Sequence, residues 1–201
     1  ANIASHSLNV GTVGTIYVNN VVGNMTIRNG DSCSIAAPCT VNQNYVSGSV
    51  AGGGRLHGLA VVNLNGTLTV DGDAGTPQNG IRLRFIENHS DSGHKEGIAV
   101  TGTAASNISI NRVYIAGQFR GSIVNSHTNI QSLSVTNSTL LARFVSNKWG
   151  HGLYARDPTS LTFTGNTIVS GNENFYGLYI NGARISPANN TNINIQNNNF
   201  S

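Results

Sequence analysis

Ile108-Ser-Ile110, Leu133-Ser-Val135, Leu161-Thr-Phe163 and Ile193-Asn-Ile195 are four copies of one apolar, polar, apolar triplet, and five residues after each comes another apolar side chain, at Ile115, Leu140, Ile168 and Phe200. Side chains at alternate positions of a strand share a face. Each copy therefore reads as a short strand that turns two apolar residues inward, bends through polar residues and turns in a third. The copies start 25, 28 and 32 residues apart, too irregular for a helical solenoid and suited to a coil whose side loops vary in length. Leu161 and Ile193 are thus expected in one continuous apolar stack.

A second element recurs at Gly58-Leu-Ala-Val61, Gly80-Ile-Arg-Leu83, Gly97-Ile-Ala-Val100, Gly121-Ser-Ile-Val124, Gly152-Leu-Tyr-Ala155 and Gly177-Leu-Tyr-Ile180. Its first and third residues after Gly are nearly always aliphatic, while the second runs from Ala to Arg to Tyr, so that variable position is expected to face outward. Two strands per turn, stacked like on like, describe a parallel β-solenoid in which each coil buries its apolar face against its neighbours. Composition agrees: 24 Gly, 29 Asn and 9% charged residues disfavour helices. Asn137, Gly165 and Asn197 fall at one aligned corner, where residues that tolerate a left-handed backbone are needed. Ser138, Asn166 and Asn198 take the next position, and stacked amides there can hydrogen-bond along the coil axis.

This pattern of strand, Asn/Gly corner and aliphatic residue resembles the right-handed parallel β-helix of the pectin-lyase-like superfamily. The likeness is closest to the passenger domains of bacterial autotransporters and two-partner-secreted adhesins. It implies an all-β, single-domain right-handed parallel β-helix of about seven or eight coils. Residues 58–201 form the regular coils, and residues 1–57 are less regular, although Ile16-Tyr-Val18 and Met25-Thr-Ile27 still read as strands. One fold of this kind hosts lyases, hydrolases, tailspikes and adhesins, so activity must be argued from the side chains.

Net charge is +3, from 11 Lys and Arg against 8 Asp and Glu. No basic run marks a nucleic-acid footprint, and no apolar stretch is long enough to suggest a membrane span. A start at Ala1-Asn2-Ile3 without Met reads as processed and points to export. Cys33 and Cys39, the only cysteines, are separated by five residues. A disulfide closing a small loop is the favoured reading, with two free thiols or a metal pair as alternatives. The close spacing is also similar to that of secreted passenger domains, where the resemblance implies that only short disulfide loops pass a narrow pore.

Catalytic candidates are few. Gly150-His151-Gly152 looks like the Gly-His-Gly of β-helical polygalacturonases, in which the resemblance implies a histidine beside clustered aspartates. Glycoside hydrolysis needs two carboxylates, one to protonate the leaving oxygen and one to activate water or attack. No Asp or Glu lies between Gly97 and Gly152, and Asp157 follows alone. A lyase would need acidic calcium ligands and a nearby Arg or Lys; Asp71-Gly-Asp73 with Arg82 and Arg84 could supply these, but Asp-Gly-Asp is also ordinary turn chemistry. Glu87, His89, Asp91, His94 and Glu96 gather ionisable groups in one polar loop whose spacing matches no closed metal motif. Neither a catalytic residue nor a metal or other cofactor is assigned.

The favoured ligand-binding surface is aromatic. An outward second position stacks Tyr154 over Tyr179, with Lys148-Trp149-Gly-His151 and Phe175-Tyr176 at equivalent places just before them. Such a ladder suits stacking on sugar rings or packing against a partner protein; its other reading is cross-strand packing that only stabilises the sheet. The expected role is an extracellular, non-enzymatic surface protein, either an adhesin-like passenger or a self-assembling surface or filament module. Its partner would be a glycan, a host or neighbour cell-surface protein, or a further copy joined end to end. The competing role is a carbohydrate-active lyase or hydrolase, or a tailspike-type glycan-binding domain.

Overall fold

The computed structural model describes residues 5–11, 16–43, 58–74, 79–87, 97–117, 124–126, 130–142, 150–156, 158–170, 175–181 and 192–201. Among them there are strands and turns and no helix. The strands are β1 (Ser5–Val10), β2 (Ile16–Asn19), β3 (Val22–Asn29), β4 (Cys39–Gln43), β5 (Leu59–Asp71), β6 (Leu83–Glu87), β7 (Ile98–Gly102), β8 (Asn107–Asn111) and β9 (Val113–Gly117). They continue with β10 (Val124–Ser126), β11 (Ile130–Thr136), β12 (Thr139–Ala142), β13 (Gly150–Arg156), β14 (Pro158–Thr164), β15 (Thr167–Ser170), β16 (Phe175–Asn181), β17 (Asn192–Gln196) and β18 (Asn199–Phe200).

Every pairing among these strands is parallel, and from β6 onward each strand pairs with the one three later in the chain. The result is a 12-stranded sheet with two limbs meeting at β5, and a separate 6-stranded sheet. One limb stacks β1, β3, β5, β8, β11, β14 and β17; the other stacks β2, β5, β7, β10, β13 and β16. The 13-residue β5 serves both limbs because it bends in the middle, at Asn63 with φ 56° and Gly66 with φ 144°. All of this is consistent with a β-helix or solenoid.

The triplet register is the one the sequence indicates. Ile108, Leu133, Leu161 and Ile193 are direct partners, as are Ile110, Val135, Phe163 and Ile195. The two-strands-per-turn expectation is corrected to three. Ile115, Leu140, Ile168 and Phe200 are not corner residues but members of β9, β12, β15 and β18, which build the 6-stranded sheet. A strand of two to five residues carries too little alternation to be told from a bend by pattern alone. Leu161, Phe163 and Ile168 are fully buried, and each such side chain contributes about 1.5–3 kcal/mol of transfer free energy.

Corner chemistry explains how the chain turns between limb and sheet. Asn137, Gly165 and Asn197 all have positive φ, of 50°, 67° and 55°, and Arg112 joins them at 50°. In the next position, Asn166 Oδ1 accepts the Ser138 N–H at 3.0 Å and Asn198 Oδ1 accepts the Asn166 N–H at 2.9 Å. The amide of Asn166 donates to the Val135 carbonyl and that of Asn198 to the Phe163 carbonyl, at 2.9 and 2.7 Å. The amide ladder anticipated from sequence is therefore formed. It satisfies backbone groups that a sharp turn inside a solenoid would otherwise bury unpaired.

The Gly-led element needs a sharper correction. Gly58 and Gly97 immediately precede β5 and β7, Gly152 and Gly177 lie inside β13 and β16, and the residues that follow them are in register along the second limb. At Gly152 a Cβ would sit 2.4 Å from the Gly177 carbonyl oxygen, so the close approach of adjacent backbones excludes a side chain. Gly80, however, leads into β6 of the other sheet, and Val124 rather than Ser122 pairs with Ile98, placing the Gly121 copy two residues out of frame. Nor is the variable position uniformly outward: Ala60 and Ala99 are buried, and so is Arg82. Cys33 and Cys39 are joined, with Cα atoms 5.2 Å apart, closing the loop between β3 and β4.

Candidate functional site

β13 and β16 are paired neighbours, and their register sets Tyr154 opposite Tyr179 and His151 opposite Tyr176. The two tyrosine rings stack with centroids 5.3 Å apart and planes 15° from parallel. His151 meets both edge-on, at 5.4 Å from Tyr154 and 5.1 Å from Tyr179. Strict alternation would send residues 151 and 154 to opposite faces. The ladder keeps a constant register from His151↔Tyr176 through Leu153↔Leu178 to Tyr154↔Tyr179, yet His151 packs against both tyrosine rings.

Below the rings, Leu153 and Ala155 are fully buried. The column is anchored from beneath, while Tyr179 is 37% exposed and Tyr154 half-buried. Aromatic contacts of this geometry contribute about 0.5–1.5 kcal/mol beyond the area they bury. Phe175 lies in β16 with its backbone opposite Gly150. Lys148 and Trp149 lie outside the described residues.

The same column extends further than the sequence indicated. Tyr179, Tyr154, Asn125, Ala99, Ala60 and Tyr17 are successive register partners along the second limb. Tyr17, 61% exposed, went unrecognised because the N-terminal strands lack the leading Gly that marks the later ones. Small residues therefore separate an aromatic pair at one end from a single tyrosine at the other.

Asp73, considered above as a calcium ligand, is committed elsewhere. Its carboxylate is buried and shared by Arg82 Nε at 3.1 Å and Arg112 Nη1 at 2.8 Å, and it also accepts the Asn79 N–H at 2.9 Å. Arg82 donates in addition to the Ala74 carbonyl. Asp71 accepts from the Asp73 N–H and from Asn111. The Asp-Gly-Asp segment is thus a turn pinned by two guanidiniums, with its inner carboxylate already neutralised. Arg82 and Arg84, paired in the sequence reading, part company: Arg82 is buried on Asp73, and Arg84 is exposed.

His89, Asp91, His94, Glu96 and Asp157 lie outside the described residues, and Glu87 is described only as part of β6. Among the described residues no three His, Cys, Asp or Glu side chains gather as a metal site requires, and no helix is long and apolar enough to cross a membrane. Comparison with known proteins returned no match to a family model, a curated protein or a solved structure.

Proposed function

We propose that this chain is a single-domain, right-handed parallel β-helix of seven or eight coils from an exported surface protein, and that it binds a glycan or cell-surface protein without breaking bonds. The observation that carries the reading is the stacked Tyr154–Tyr179 pair with His151 packed against both rings. Its rings are held from below by a buried core and offer partly exposed flat π surface, the combination that recognises sugar C–H faces or an apolar partner patch. Right-handedness follows from the strong preference of parallel crossover connections. Export is supported by the Cys33–Cys39 disulfide, a bond that persists in oxidising compartments.

The test is the Tyr154→Ala/Tyr179→Ala double variant. Binding to a glycan array or to host-cell surfaces should fall at least about tenfold. Thermal unfolding should shift by no more than a few degrees, because the substitutions remove only ring stacking at a partly exposed surface and leave the core beneath it intact. Unchanged adhesion would leave the pair a packing feature only. The enzymatic alternative has its own signature: release of reducing or unsaturated sugar from a polysaccharide panel, abolished by His151→Ala, would replace this proposal.

A further inference from the structure

The outer face of the limb that stacks β3, β5, β8, β11, β14 and β17 differs in chemistry from the other two faces. Met25, Leu68, Ile108, Leu133 and Leu161 are buried in the core beneath it. Alternation therefore turns the residues on either side of each outward. One outward file of ladder partners runs Asn24, Thr67, Asn107, Ser132, Ser160 and Asn192; the other runs Thr26, Thr69, Ser109, Ser134, Thr162 and Asn194. Every member is Asn, Ser or Thr, and every member is at least partly exposed. Solvation alone does not impose this choice. Outward positions of the 6-stranded sheet include Arg84, Ile86, Tyr114 and Leu141, and those of the second limb include Tyr17, Tyr154 and Tyr179.

Constant register makes the two files a lattice. No shift occurs between successive strands of this limb, so side chains within a file repeat at the strand spacing of about 4.8 Å and the files lie two residues, or about 6.6 Å, apart. Side-chain ladders of this kind also favour a flat sheet. The first file is partly self-satisfied, since Ser132 Oγ donates to Asn107 Oδ1 at 2.6 Å. The second is not. Among the described residues, the hydroxyls of Thr26, Thr69, Ser109, Ser134 and Thr162 have no protein partner, and Asn194 Oδ1 in the same file is buried without one. The backbone thus holds a row of hydrogen-bonding groups at fixed intervals and leaves it open on its outer side.

We propose that this face binds ice. A macromolecular partner is held chiefly by aromatic or Arg anchors at a desolvated centre, and neither file supplies one. An uncharged lattice of hydroxyls and amides fits a partner that is itself uncharged and periodic, and that donates and accepts at every repeat. Oxygen rows of crystalline water meet that description, at intervals close to the strand spacing. Ser and Thr hydroxyls donate or accept as each row requires. The Thr methyls add apolar surface between the hydroxyls, which favours expulsion of liquid water from the contact. Each contact is weak, but the ladder positions the groups before binding, so little ordering cost is added. This face is separate from the tyrosine pair, and the proposal does not depend on that pair's role.

Ice-affinity partitioning and thermal hysteresis of the whole chain test it. The chain should be enriched in a slowly growing ice front and should open a gap between the melting and freezing points. Ser134→Tyr raises a ring from the middle of the second file and should remove most of that gap. The new side chain points away from the core and suits a strand, so the variant should melt with the parent. Ser109→Tyr, on the neighbouring rung, gives the same reading if Ser134→Tyr folds poorly. Ser134→Thr keeps the hydroxyl and adds a methyl, and should retain the activity, as should Tyr154→Ala/Tyr179→Ala. Exclusion of the parent chain from ice at millimolar protein would overturn the proposal. So would hysteresis that survives both folded tyrosine insertions, or that is lost in the Tyr154→Ala/Tyr179→Ala variant. A concentration-dependent dimer in sedimentation that Ser134→Tyr breaks would reassign the face to a second copy of the chain.

Discussion

The rung built on Leu161, Phe163 and Ile168 and the rung built on Ile193, Ile195 and Phe200 carry the same kinds of side chain in the same register. The first is fully buried; the second is exposed by 37%, 43% and 53%. Local sequence cannot distinguish them, because each triplet presents the same face. What differs is the neighbour: the inner rung is covered on both sides by β11, β12, β17 and β18, and the outer rung is covered on one. In a stacked architecture burial belongs to the interface between repeats, and stability is distributed accordingly.

Substituting Asp into the two rungs should separate them most widely. Leu161→Asp would place an unpaired charge in the dry stack and should cost more than about 4 kcal/mol, enough to prevent folding. Ile193→Asp, at a partly exposed position, should cost on the order of 1–2 kcal/mol. The triplet pattern alone puts both in a continuous core, and the exposure of Ile193 revises that expectation. Denaturant titration of the two variants checks it, and equal destabilisation would mean that a further layer covers the outer rung in solution.

Truncating the aromatic residues should give a smaller contrast. Phe163→Ala should cost about 3–5 kcal/mol through the cavity it leaves. Phe200→Ala, with half its surface already in water, should cost roughly 1 kcal/mol. A differential-scanning measurement in which the two Tm values fall by the same amount would contradict the rung comparison.

The amide ladder offers the finest discrimination. Asn166→Ala strips partners from the Ser138 N–H and the Val135 carbonyl, inside the stack, and should cost about 1–3 kcal/mol for each buried group left unpaired. Asn198→Ala removes the partners of the Asn166 N–H and the Phe163 carbonyl on the side facing the outer rung, where water can replace them more easily, and the cost should be nearer 1 kcal/mol. Amide hydrogen exchange at residues 138 and 166 reads the two effects separately.

The candidate site was legible unevenly. Tyr154 and Tyr179 could be paired from the numbering because both follow a glycine by two residues and their strands are in register. His151 was found through its motif, but its contact with both rings could not be read from strand alternation, which sends residues 151 and 154 to opposite faces. Arg112 escaped notice as a partner of Asp73, although an Arg at the corner aligned with Asn137, Gly165 and Asn197 was a readable signal.

By itself the sequence determined the parallel register of the four triplets, the left-handed corners at Asn137, Gly165 and Asn197, the amide ladder beside them, and the pairing of Tyr154 with Tyr179. Each rests on the side-chain alternation of strands or on the backbone tolerance of Asn and Gly, both local properties. Only the tertiary structure decided that three strands make up each repeat, that Arg82 turns inward to Asp73 while Arg84 lies over Tyr114, and that the same apolar triplet is core in one rung and surface in the next. These depend on which residues distant in the chain become neighbours, and burial and ion pairing are properties of that packing.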